Sequence, residues 1–475
     1  MKKPEFDLCI IGGGSAGLVV AAGGASLGAK VALVEKHALG GDCLHYGCVP
    51  SKTLLHSAKA AQMMRDAGRY GIEPATPQTN IKKVMQRVSN VIKTIEVHDS
   101  PERFRGLGID VIFGAGKFTT ANVFNVNDRH LTAKHFVIAT GSHPAIPPIT
   151  GLDRIPYLTN ISIFSINEPV SSLIILGGGP IGIEMAQAFC RLGSQVKVVQ
   201  RNTRILPKED NDLSEVVKQR LEHEGVEFHL GCSTKRISGS AGNIELLLES
   251  KDGQQQTITG THLLVAAGRK ANSEGLGLEN TNVQTENGRI ITDERLRTTN
   301  RHIFACGDVV GPYLFTHMAE HQAGVVLRNA LFHLPAKIEQ RVIPWCTFSD
   351  PELARVGISE TEAQQQGIRH KVYKFPFKDI DRAQAEGETA GLAKIITDTK
   401  GRLLGAAIAG PHAGELIHEY ALALTKRLKA SDLSQVIHIY PTLAQINRRV
   451  ADARMKEGLT PTTKKWIKLI FGLRG

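Results

Sequence analysis

Apolar residues along this chain fall into short continuous runs that predict buried strands. Residues Phe6 to Ile11 form the first run, and an alanine-rich segment to about Leu27 follows with the composition of a helix. A second run, Lys30 to Val34, ends at Glu35. Continuous apolar runs that alternate with helical segments are typical of parallel sheets covered on both faces. The pattern therefore predicts an α/β domain.

The same strand–helix–strand pattern recurs about 170 residues later, as expected for a second unit of this kind. Ser172 to Leu176 predicts a strand, the segment through Arg191 a helix, and Gln195 to Val199 the next strand. Each unit is followed by a further buried strand that ends in a tight turn, His135 to Gly141 and Leu263 to Arg269.

The remaining third of the chain shows a different pattern. Thr299 to Asp308 predicts a strand, Leu392 to Ile408 a hairpin that turns at Lys400-Gly401, and Glu415 to Lys429 a helix. We therefore expect an α/β fold with two doubly wound Rossmann-like domains, the second inserted in the first, and a C-terminal α+β domain.

Glycines at the first strand–helix junction form a dinucleotide-binding fingerprint. Gly12, Gly14 and Gly17 follow the first strand directly, and Glu35 ends the second strand. The glycines permit a tight turn and close approach of a pyrophosphate, and the helix N-terminus faces the phosphates. Glu35 can accept hydrogen bonds from ribose hydroxyls. Strand, glycines, helix and acid together predict a nucleotide site.

A second fingerprint, Gly177, Gly179 and Gly182, predicts a second nucleotide site. The spacing that joins Gly17 to Glu35 leads from Gly182 to Gln200, so this site lacks the acid. Arg201 follows, and Arg204 lies three residues on. Because an arginine here accommodates a 2′-phosphate, we predict NADPH, with NADH possible. The alternative is that both arginines are solvated surface charges.

Two cysteines, Cys43 and Cys48, lie five positions apart where a helix is predicted to begin. Pro50 suits a first helical turn, and helix N-termini and a nearby cation such as Lys52 favour thiolates. We interpret the pair as a redox-active dithiol. The alternatives are half of a zinc site, which lacks a partner Cys-x-x-Cys, and two unrelated small residues.

Composition narrows the possible partners and compartment. The chain has 475 residues and a formal net charge of +11, which suits anionic partners, but no Lys/Arg run with interleaved aromatics supports nucleic-acid binding. Seven cysteines in so long a chain do not resemble a secreted disulfide framework, and Asp7 breaks the first apolar run too early for a signal peptide. We therefore expect a cytoplasmic protein.

The tail, residues 456–475, is basic and amphipathic. Lys464, Lys465 and Lys468 alternate with Trp466 and other apolar residues up to Arg474. Such a segment can lie weakly on a membrane surface. The interpretation we favour from sequence is a helix docked on its own or a partner subunit.

These motifs together resemble those of the FAD-dependent pyridine nucleotide–disulfide oxidoreductases, the group of glutathione reductase, dihydrolipoamide dehydrogenase and mercuric reductase. The resemblance covers Phe6 to about Val450 and includes Ala139-Thr140-Gly141, Phe304 to Asp308 and Asp350 to Gly357. It implies FAD at the first site, the nicotinamide nucleotide at the second, and a homodimer whose active sites borrow residues from the partner. The implied divisions are 1–150 and 275–340 for the FAD domain, 151–274 for the NAD(P) domain, 341–455 for the interface domain and 456–475 for the tail.

The resemblance also implies roles for single residues. Cys48 would lie against the flavin as the charge-transfer thiolate, Cys43 would meet substrate, and Lys52 would pair with Glu184. Asp308 would bond the FAD ribitol. The remaining positions implied to contact a cofactor are Lys36, Gly41, Asp42, Gly116, Thr140, Gly141, Thr316 and Gly268.

One stretch departs from the family pattern. The glutathione and lipoamide enzymes carry a histidine–glutamate acid–base dyad where this chain has Tyr440 and Gln445. An unperturbed tyrosine, with a pKa of about 10, is a poor general base, and glutamine carries no charge. His438, two positions away on what we expect to be the same strand face, is either a substitute base or, as we favour, a structural neighbour.

Mercuric reductase is similar in placing a tyrosine in its metal pocket, and two thiolates that hold a soft metal need no dithiol-type proton shuttle. However, this chain has no cysteine after Cys346, whereas that enzyme uses a C-terminal cysteine pair, and we expect no added metal-binding domain before the first strand. We predict a flavoenzyme that reduces a soft metal ion such as Hg(II), or a disulfide. The alternatives are a dihydrolipoamide dehydrogenase-like enzyme and a slow redox sensor that docks through its tail.

Overall fold

The first predicted strand lies in the middle of a parallel sheet in the computed structural model, which describes residues 3–332 and 334–473. The strand bounds agree with the sequence prediction, and the first helix ends one residue earlier than expected. Residues 6–144 form β1 (Phe6–Ile11), α1 (Ser15–Ser26), β2 (Val31–Glu35), α2 (Gly41–His45), α3 (Cys48–Arg65), α4 (Ile81–Glu96), α5 (Pro101–Gly106), β3 (Asp110–Phe113), β4 (Gly116–Thr120), β5 (Val123–Val126), β6 (Arg129–Leu131), β7 (Ala133–Ile138) and β8 (Ser142–Pro144).

The second fingerprint begins a second parallel sheet. Its strands follow the order β11-β10-β9-β15, and an antiparallel sheet of β12, β13 and β14 lies beside it. The elements are β9 (Ser172–Leu176), α6 (Pro180–Arg191), β10 (Gln195–Gln200), α7 (Asn211–His223), β11 (Glu227–Leu230), β12 (Cys232–Ser240), β13 (Asn243–Ser250), β14 (Gln255–Gly260), β15 (His262–Val265) and β16 (Arg269–Ala271).

The chain then returns to the first sheet. Its elements here are β17 (Thr285–Glu286), β18 (Arg289–Ile290), β19 (Ile303–Ala305) and α8 (Thr316–Leu331). β19 pairs in parallel with β7 and completes the order β19-β7-β1-β2-β3. The predicted strand from Thr299 is therefore shorter than expected, because only its buried apolar centre joins the ladder.

The C-terminal part is built on an antiparallel sheet, β20-β21-β24-β23-β22. The predicted hairpin is confirmed as β23 and β24, but the predicted helix ends at Thr425, and Arg427 has a φ of 56° in the turn that follows. The elements are β20 (Pro344–Thr347), β21 (Glu352–Gly357), α9 (Glu360–Gln365), β22 (Lys371–Pro376), α10 (Asp381–Glu386), β23 (Leu392–Thr397), β24 (Leu403–Gly410), α11 (Ala413–Thr425), α12 (Ala430–Gln435), α13 (Gln445–Glu457) and α14 (Pro461–Phe471).

Helix α3, which begins at Cys48, packs across the boundary between the two nucleotide units. Its buried residues Leu54 and Ala58 share one apolar core with Ile183 and Met185 of α6. Burial of each large apolar side chain contributes about 1.5–3 kcal/mol of free energy, which holds such helices together. The dithiol segment is therefore fixed against both fingerprints.

The tail helix α14 has no buried side chain, so its own subunit does not cover it, and docking on a partner subunit stays a prediction. Residues 474–475, including Arg474 of the predicted basic tail, lie outside the described residues. Within residues 3–332 and 334–473, no helix combines the length and apolar character needed to cross a bilayer.

Candidate functional site

Two short helices present the cysteine pair to one cavity. Cys43 lies on α2, which the sequence did not predict, and Cys48 begins α3 as predicted. Gly41 has a φ of 61°, and a Cβ built on it would lie 2.7 Å from the Cα of Gly14. Only glycine permits this approach without strain. The cysteine segment therefore lies directly against the first fingerprint.

The two thiols are not equivalent. Neither forms a disulfide, and the Cys43 thiol donates a hydrogen bond to the Cys48 sulfur. That hydrogen bond and the attraction of Lys52 outweigh burial and lower the pKa of Cys48 to about 6. The same hydrogen bond, together with burial, raises the pKa of Cys43. Near neutral pH the pair therefore holds one thiolate, on Cys48, and one thiol, on Cys43.

Thr316, at the start of α8, contacts the cysteine pair from the other side. Its Oγ1 lies 3.9 Å from the Cys48 sulfur. A hydroxyl at this place favours the thiolate by hydrogen bonding and adds to the lowering of its pKa.

Lys52 and Glu184 form an ion pair beside the cysteines. The Lys52 Nζ lies 2.9 Å from Glu184 Oε2 and 3.1 Å from Oε1, and the Phe348 N–H donates to Oε1 at 3.0 Å. The Lys52 ammonium also lies 4.3 Å from the centre of the Phe348 ring. Burial opposes the charge of Lys52, but Glu184 outweighs it and raises the lysine pKa. The cation is thus retained next to Cys48.

The first fingerprint forms an open cradle for a nucleotide. A Cβ on Gly12 would lie 2.3 Å from the Ala139 carbonyl oxygen, and one on Gly17 would lie 1.8 Å from that of Gly12. The Glu35 carboxylate accepts from the Gly13 and His37 N–H groups at 2.6 and 2.7 Å. These bonds fix the acid at the end of β2, above the helix N-terminus of α1.

Asp308 places a second carboxylate at the wall of the same cavity. The Ser142 hydroxyl donates to its Oδ2 at 2.5 Å, and Arg269 Nε lies 3.9 Å from that oxygen. Burial raises the pKa of Asp308 against these two favourable contacts. Arg269 also lies 3.2 Å from Asp42, whose other partner is the Asn160 amide at 3.1 Å.

These groups line one cavity of about 1340 Å³. Its volume, its glycines and the acids Glu35 and Asp308 suit a flavin dinucleotide, since dinucleotide sites pair a pyrophosphate-binding glycine turn with acids for the sugar. Predicted residues that line it are Gly12, Gly14, Glu35, Lys36, Gly41, Asp42, Cys43, Cys48, Lys52, Gly116, Thr140, Gly141, Glu184, Asp308 and Thr316.

The second fingerprint repeats the geometry of the first. Gly177 has a φ of 118°, and a Cβ on Gly182 would lie 1.9 Å from the Gly177 carbonyl oxygen. Gln200 ends β10 as Glu35 ends β2. A Cβ built on Gly178 would lie 3.3 Å from the Cβ of Gln200. Pro180 at the start of α6, next to Gly179, lines the main cavity. A second nucleotide bound here therefore reaches toward the cysteine pair.

The two arginines next to this fingerprint differ. Arg204 is half-buried and donates to the Pro207 carbonyl oxygen at 2.9 Å, whereas Arg201 is exposed. Gly268, predicted near the cofactors, has a φ of 138° and lies outside the residues described as lining the cavity. Arg201 is thus the freer of the two cations to meet a phosphate.

Tyr440 and Gln445 lie on the C-terminal part of the chain, and neither is among the described residues that line the cavity. Tyr440 is 65% exposed and lies in the segment that precedes α13. Ile437 and Ile439 in the same segment are 92% and 78% exposed. The expected strand is wrong: the described segment 436–444 has neither strand nor helix, and His438 turns inward to Glu419 at 3.1 Å while Tyr440 turns out. The exposure of the segment suits coverage by another molecule.

Several cavity residues escaped the sequence analysis. Ser142, Asn160 and Arg269 act through pairwise contacts that no local motif announces. Cys346 and Phe348, on or just after β20, line the cavity from the C-terminal domain. Burial raises the pKa of the Cys346 thiol, so it is a poor nucleophile. The only sequence signal was the position of Phe348 beside the Asp350–Gly357 motif.

Comparison with known proteins places these features in a known context. Residues 6–323 match the family "Pyridine nucleotide-disulphide oxidoreductase", and residues 343–450 match its dimerisation domain. Dihydrolipoyl dehydrogenase of Bacillus subtilis is 36% identical over 458 residues, which cover 93% of this chain and 96% of that protein. Mercuric reductase of Staphylococcus aureus is 33% identical, with 94% of this chain and 81% of that protein covered.

Solved structures give the same result. The HOCl-induced flavoprotein disulfide reductase RclA of Escherichia coli, as a Cu(II) complex, superposes with a TM-score of 0.83 at 29% identity, and covers 94% of this chain and 99% of that one. The predicted fold class is thereby confirmed, with Rossmann-like nucleotide-binding units and a dimerisation domain.

Proposed function

The chain belongs to the pyridine nucleotide–disulphide oxidoreductases, which use FAD and NAD(P)H, and from this premise we propose that it transfers electrons from NADPH through FAD and the Cys43–Cys48 pair to a soft metal ion such as Hg(II). The observation that carries the proposal is the unequal thiol pair at the cavity wall, combined with Tyr440 and Gln445 where the family's acid–base dyad lies.

The chain's own residues suit FAD. Gly12 and Gly14 would receive the pyrophosphate, Glu35 the ribose and Asp308 the ribitol, because these four residues line the cavity. Gly17 would support the site by letting α1 pack closely against Gly12. When bound, FAD supplies two-electron chemistry between a nicotinamide and a dithiol. The second fingerprint would hold the nicotinamide nucleotide, with Arg201 on its 2′-phosphate.

The thiol pair can hold a soft divalent ion without an external base. The Cys48 thiolate binds the ion first, and coordination of Cys43 releases its proton to solvent, since a metal-bound thiol is deprotonated. Lys52 balances part of the thiolate charge, and Glu184 keeps Lys52 in place. The result is a two-thiolate site of the kind that soft metals prefer.

A disulfide substrate makes a different demand. Attack by Cys43 on a substrate disulfide forms a mixed disulfide and expels one thiolate, and attack by Cys48 on Cys43 closes the Cys43–Cys48 disulfide and expels the second. Each expelled thiolate takes a proton, which an acid–base residue normally supplies. Tyr440 and Gln445 supply it poorly, so metal reduction is favoured.

A dihydrolipoamide dehydrogenase-like activity is the second candidate. His438 contacts Glu419 at 3.1 Å, and the Asn447 amide donates to the same carboxylate at 2.8 Å. A histidine oriented by a carboxylate is the arrangement of a general base. If this pair replaces the missing dyad, the enzyme oxidises dithiols or reduces disulfides. A slow redox sensor, the third candidate, would lack rapid turnover with any acceptor.

We also propose a homodimer in which segment 436–445 of one subunit covers the cavity of the other. The match of residues 343–450 to a dimerisation domain and the high exposure of Ile437 and Ile439 support this arrangement. The proposed divisions are 1–150 and 275–340, 151–274, 341–455 and 456–475. The sparse, odd set of cysteines supports a cytoplasmic location.

The test compares NADPH oxidation with thiol-bound Hg(II), Cu(II), oxidised glutathione and lipoamide in the purified holoenzyme. We expect metal-dependent turnover that Cys43→Ser abolishes and that the matched thiol variant Cys232→Ser, outside the cavity, leaves unchanged. Brisk lipoamide turnover that Glu419→Gln removes would instead establish the second candidate. Failure of all four acceptors to support rapid NADPH oxidation would favour the sensor.

A further inference from the structure

The tail helix α14 presents an apolar face that the rest of its own chain does not cover. Trp466, Leu469, Ile470 and Phe471 are 59%, 73%, 68% and 71% exposed. Exposed apolar residues scattered singly are ordinary, but Trp466, Leu469 and Ile470 share one side of the helix and form a patch, which Phe471 extends at the end of the helix. The patch lies on an element that the proposed electron-transfer chemistry does not use.

The opposite face of the same helix is uniformly cationic. Lys464, Lys465 and Lys468 lie together at helical spacing, while Trp466, Leu469 and Ile470, spaced three and four residues apart, share the other side. All three lysines are exposed, and residues 458–473 contain no Asp or Glu. The helix thus combines an apolar stripe with a positive stripe.

We propose that α14 docks this protein on the surface of an anionic phospholipid membrane. An interfacial helix inserts its apolar face at the headgroup–acyl boundary, and its lysines contact the lipid phosphates from the other side. Trp466 is suited to this boundary, because its ring has an apolar body and a polar N–H. The formal net charge of +11 on the whole chain adds long-range attraction to such a surface.

Charge decides against pairing of α14 with the α14 of a second copy. If α14 packed against its own copy about a two-fold axis, the three lysines of one helix would approach the three lysines of the other. No carboxylate in residues 458–473 would offset that repulsion. An anionic lipid surface offers the complementary charge.

The experiment measures sedimentation of the full-length holoenzyme with sucrose-loaded vesicles of phosphatidylcholine mixed with phosphatidylglycerol, and with vesicles of phosphatidylcholine alone. We expect binding to the mixed vesicles, weaker binding to the neutral ones, and a blue shift in fluorescence that Trp466→Phe removes. The triple variant Lys464→Gln, Lys465→Gln, Lys468→Gln should weaken binding to mixed vesicles roughly 100-fold.

The control is the triple variant Lys82→Gln, Lys83→Gln, Lys93→Gln on α4, which removes the same charge from three exposed lysines elsewhere and should bind like wild type. Leu469→Ser with Ile470→Ser should abolish the fluorescence shift while NADPH turnover is retained. Equal loss in both lysine variants would overturn the proposal, as would no vesicle binding. A change of oligomeric state in the Leu469/Ile470 variant with vesicle binding intact would also overturn it and assign the face to a second copy.

Discussion

Lys52 of α3 and Glu184 of α6 meet at 2.9 Å, although they are 132 positions apart in the chain. One follows the redox cysteines and the other follows the second glycine fingerprint. The contact therefore joins the segment of the thiol pair to the helix of the second fingerprint.

Replacing Lys52 with methionine should raise the pKa of Cys48 and destabilise the fold. The thiolate loses its nearest cation, and the buried Glu184 loses its partner, a loss of about 1–3 kcal/mol for an unsatisfied charged group. The checks are the pH midpoint of Cys48 alkylation and a thermal melt. Lys59→Met, two turns later on α3 and paired with Asp350 at 3.8 Å, is the control and should leave the midpoint unchanged.

The Cys48 thiolate should be detectable by spectroscopy. Because its pKa is lowered to about 6, the thiolate is populated above that pH and lost as the pH falls through it. In the two-electron-reduced holoenzyme we expect a long-wavelength charge-transfer band that fades below about pH 6. Cys48→Ser should abolish the band, whereas Cys43→Ser, which keeps a hydroxyl donor, should retain it. A band that survives Cys48→Ser would refute the thiol assignment.

Nucleotide preference should depend on Arg201. A charge-assisted phosphate contact is worth about 1.5–3 kcal/mol, so Arg201→Ala should reduce kcat/KM for NADPH roughly 10- to 100-fold and leave NADH nearly unchanged. Arg236→Ala, an exposed arginine on β12 of the same domain, is the control. A wild-type enzyme that prefers NADH would contradict the prediction.

Restoring the family's dyad should change the substrate. Tyr440→His with Gln445→Glu should raise turnover of lipoamide or oxidised glutathione by about 10²-fold or more, because an acid–base residue contributes that much to thiol–disulfide steps. Hg(II)-dependent turnover should change little in the same assay. Brisk dihydrolipoamide turnover by the wild type would mean that His438 or another group already acts as base.

Gly41→Ala should release FAD. The added methyl would lie 2.7 Å from Gly14 Cα, and the residue would keep a left-handed φ of 61°. Gly28→Ala is the matched control, with a φ of 83° but no atom within 4 Å of the new methyl. We expect the first variant to lose flavin on gel filtration and the second to retain it at a cost of about 1 kcal/mol. Equal flavin retention would show that the cradle tolerates the shift.

The sequence predicts the nucleotide units closely because their determinants are local. Apolar runs, glycines and Glu35 lie within one strand–helix–strand segment, so each unit can be located without knowledge of the rest. Helix α2 was missed because it has only five residues and no apolar periodicity. The Arg269–Asp42 and Lys394–Asp210 pairs were missed because they join residues more than 180 positions apart.

The C-terminal segment shows where local reasoning fails. The alternation His438-Ile439-Tyr440 resembles a strand, yet no strand of the described sheet extends there, and Glu419 on α11 draws His438 inward. Likewise, the tail is predicted as a helix from its own residues, but only the structure shows that its own chain leaves its apolar side uncovered. In both cases the deciding contact lies on another element or another molecule.

The exposed segment 436–444 and the helix pair α3–α6 are physically independent parts of the protein. In the proposed homodimer, substitutions in the segment would alter what can reach the thiols without disturbing Leu54, Ile183 or the other core residues that hold the thiols against the nucleotide sites. A lineage could therefore exchange one electron acceptor for another by changing a few exposed positions, while the nucleotide sites and the cysteine pair stay constant. Tyr440, which is 65% exposed, is one such position.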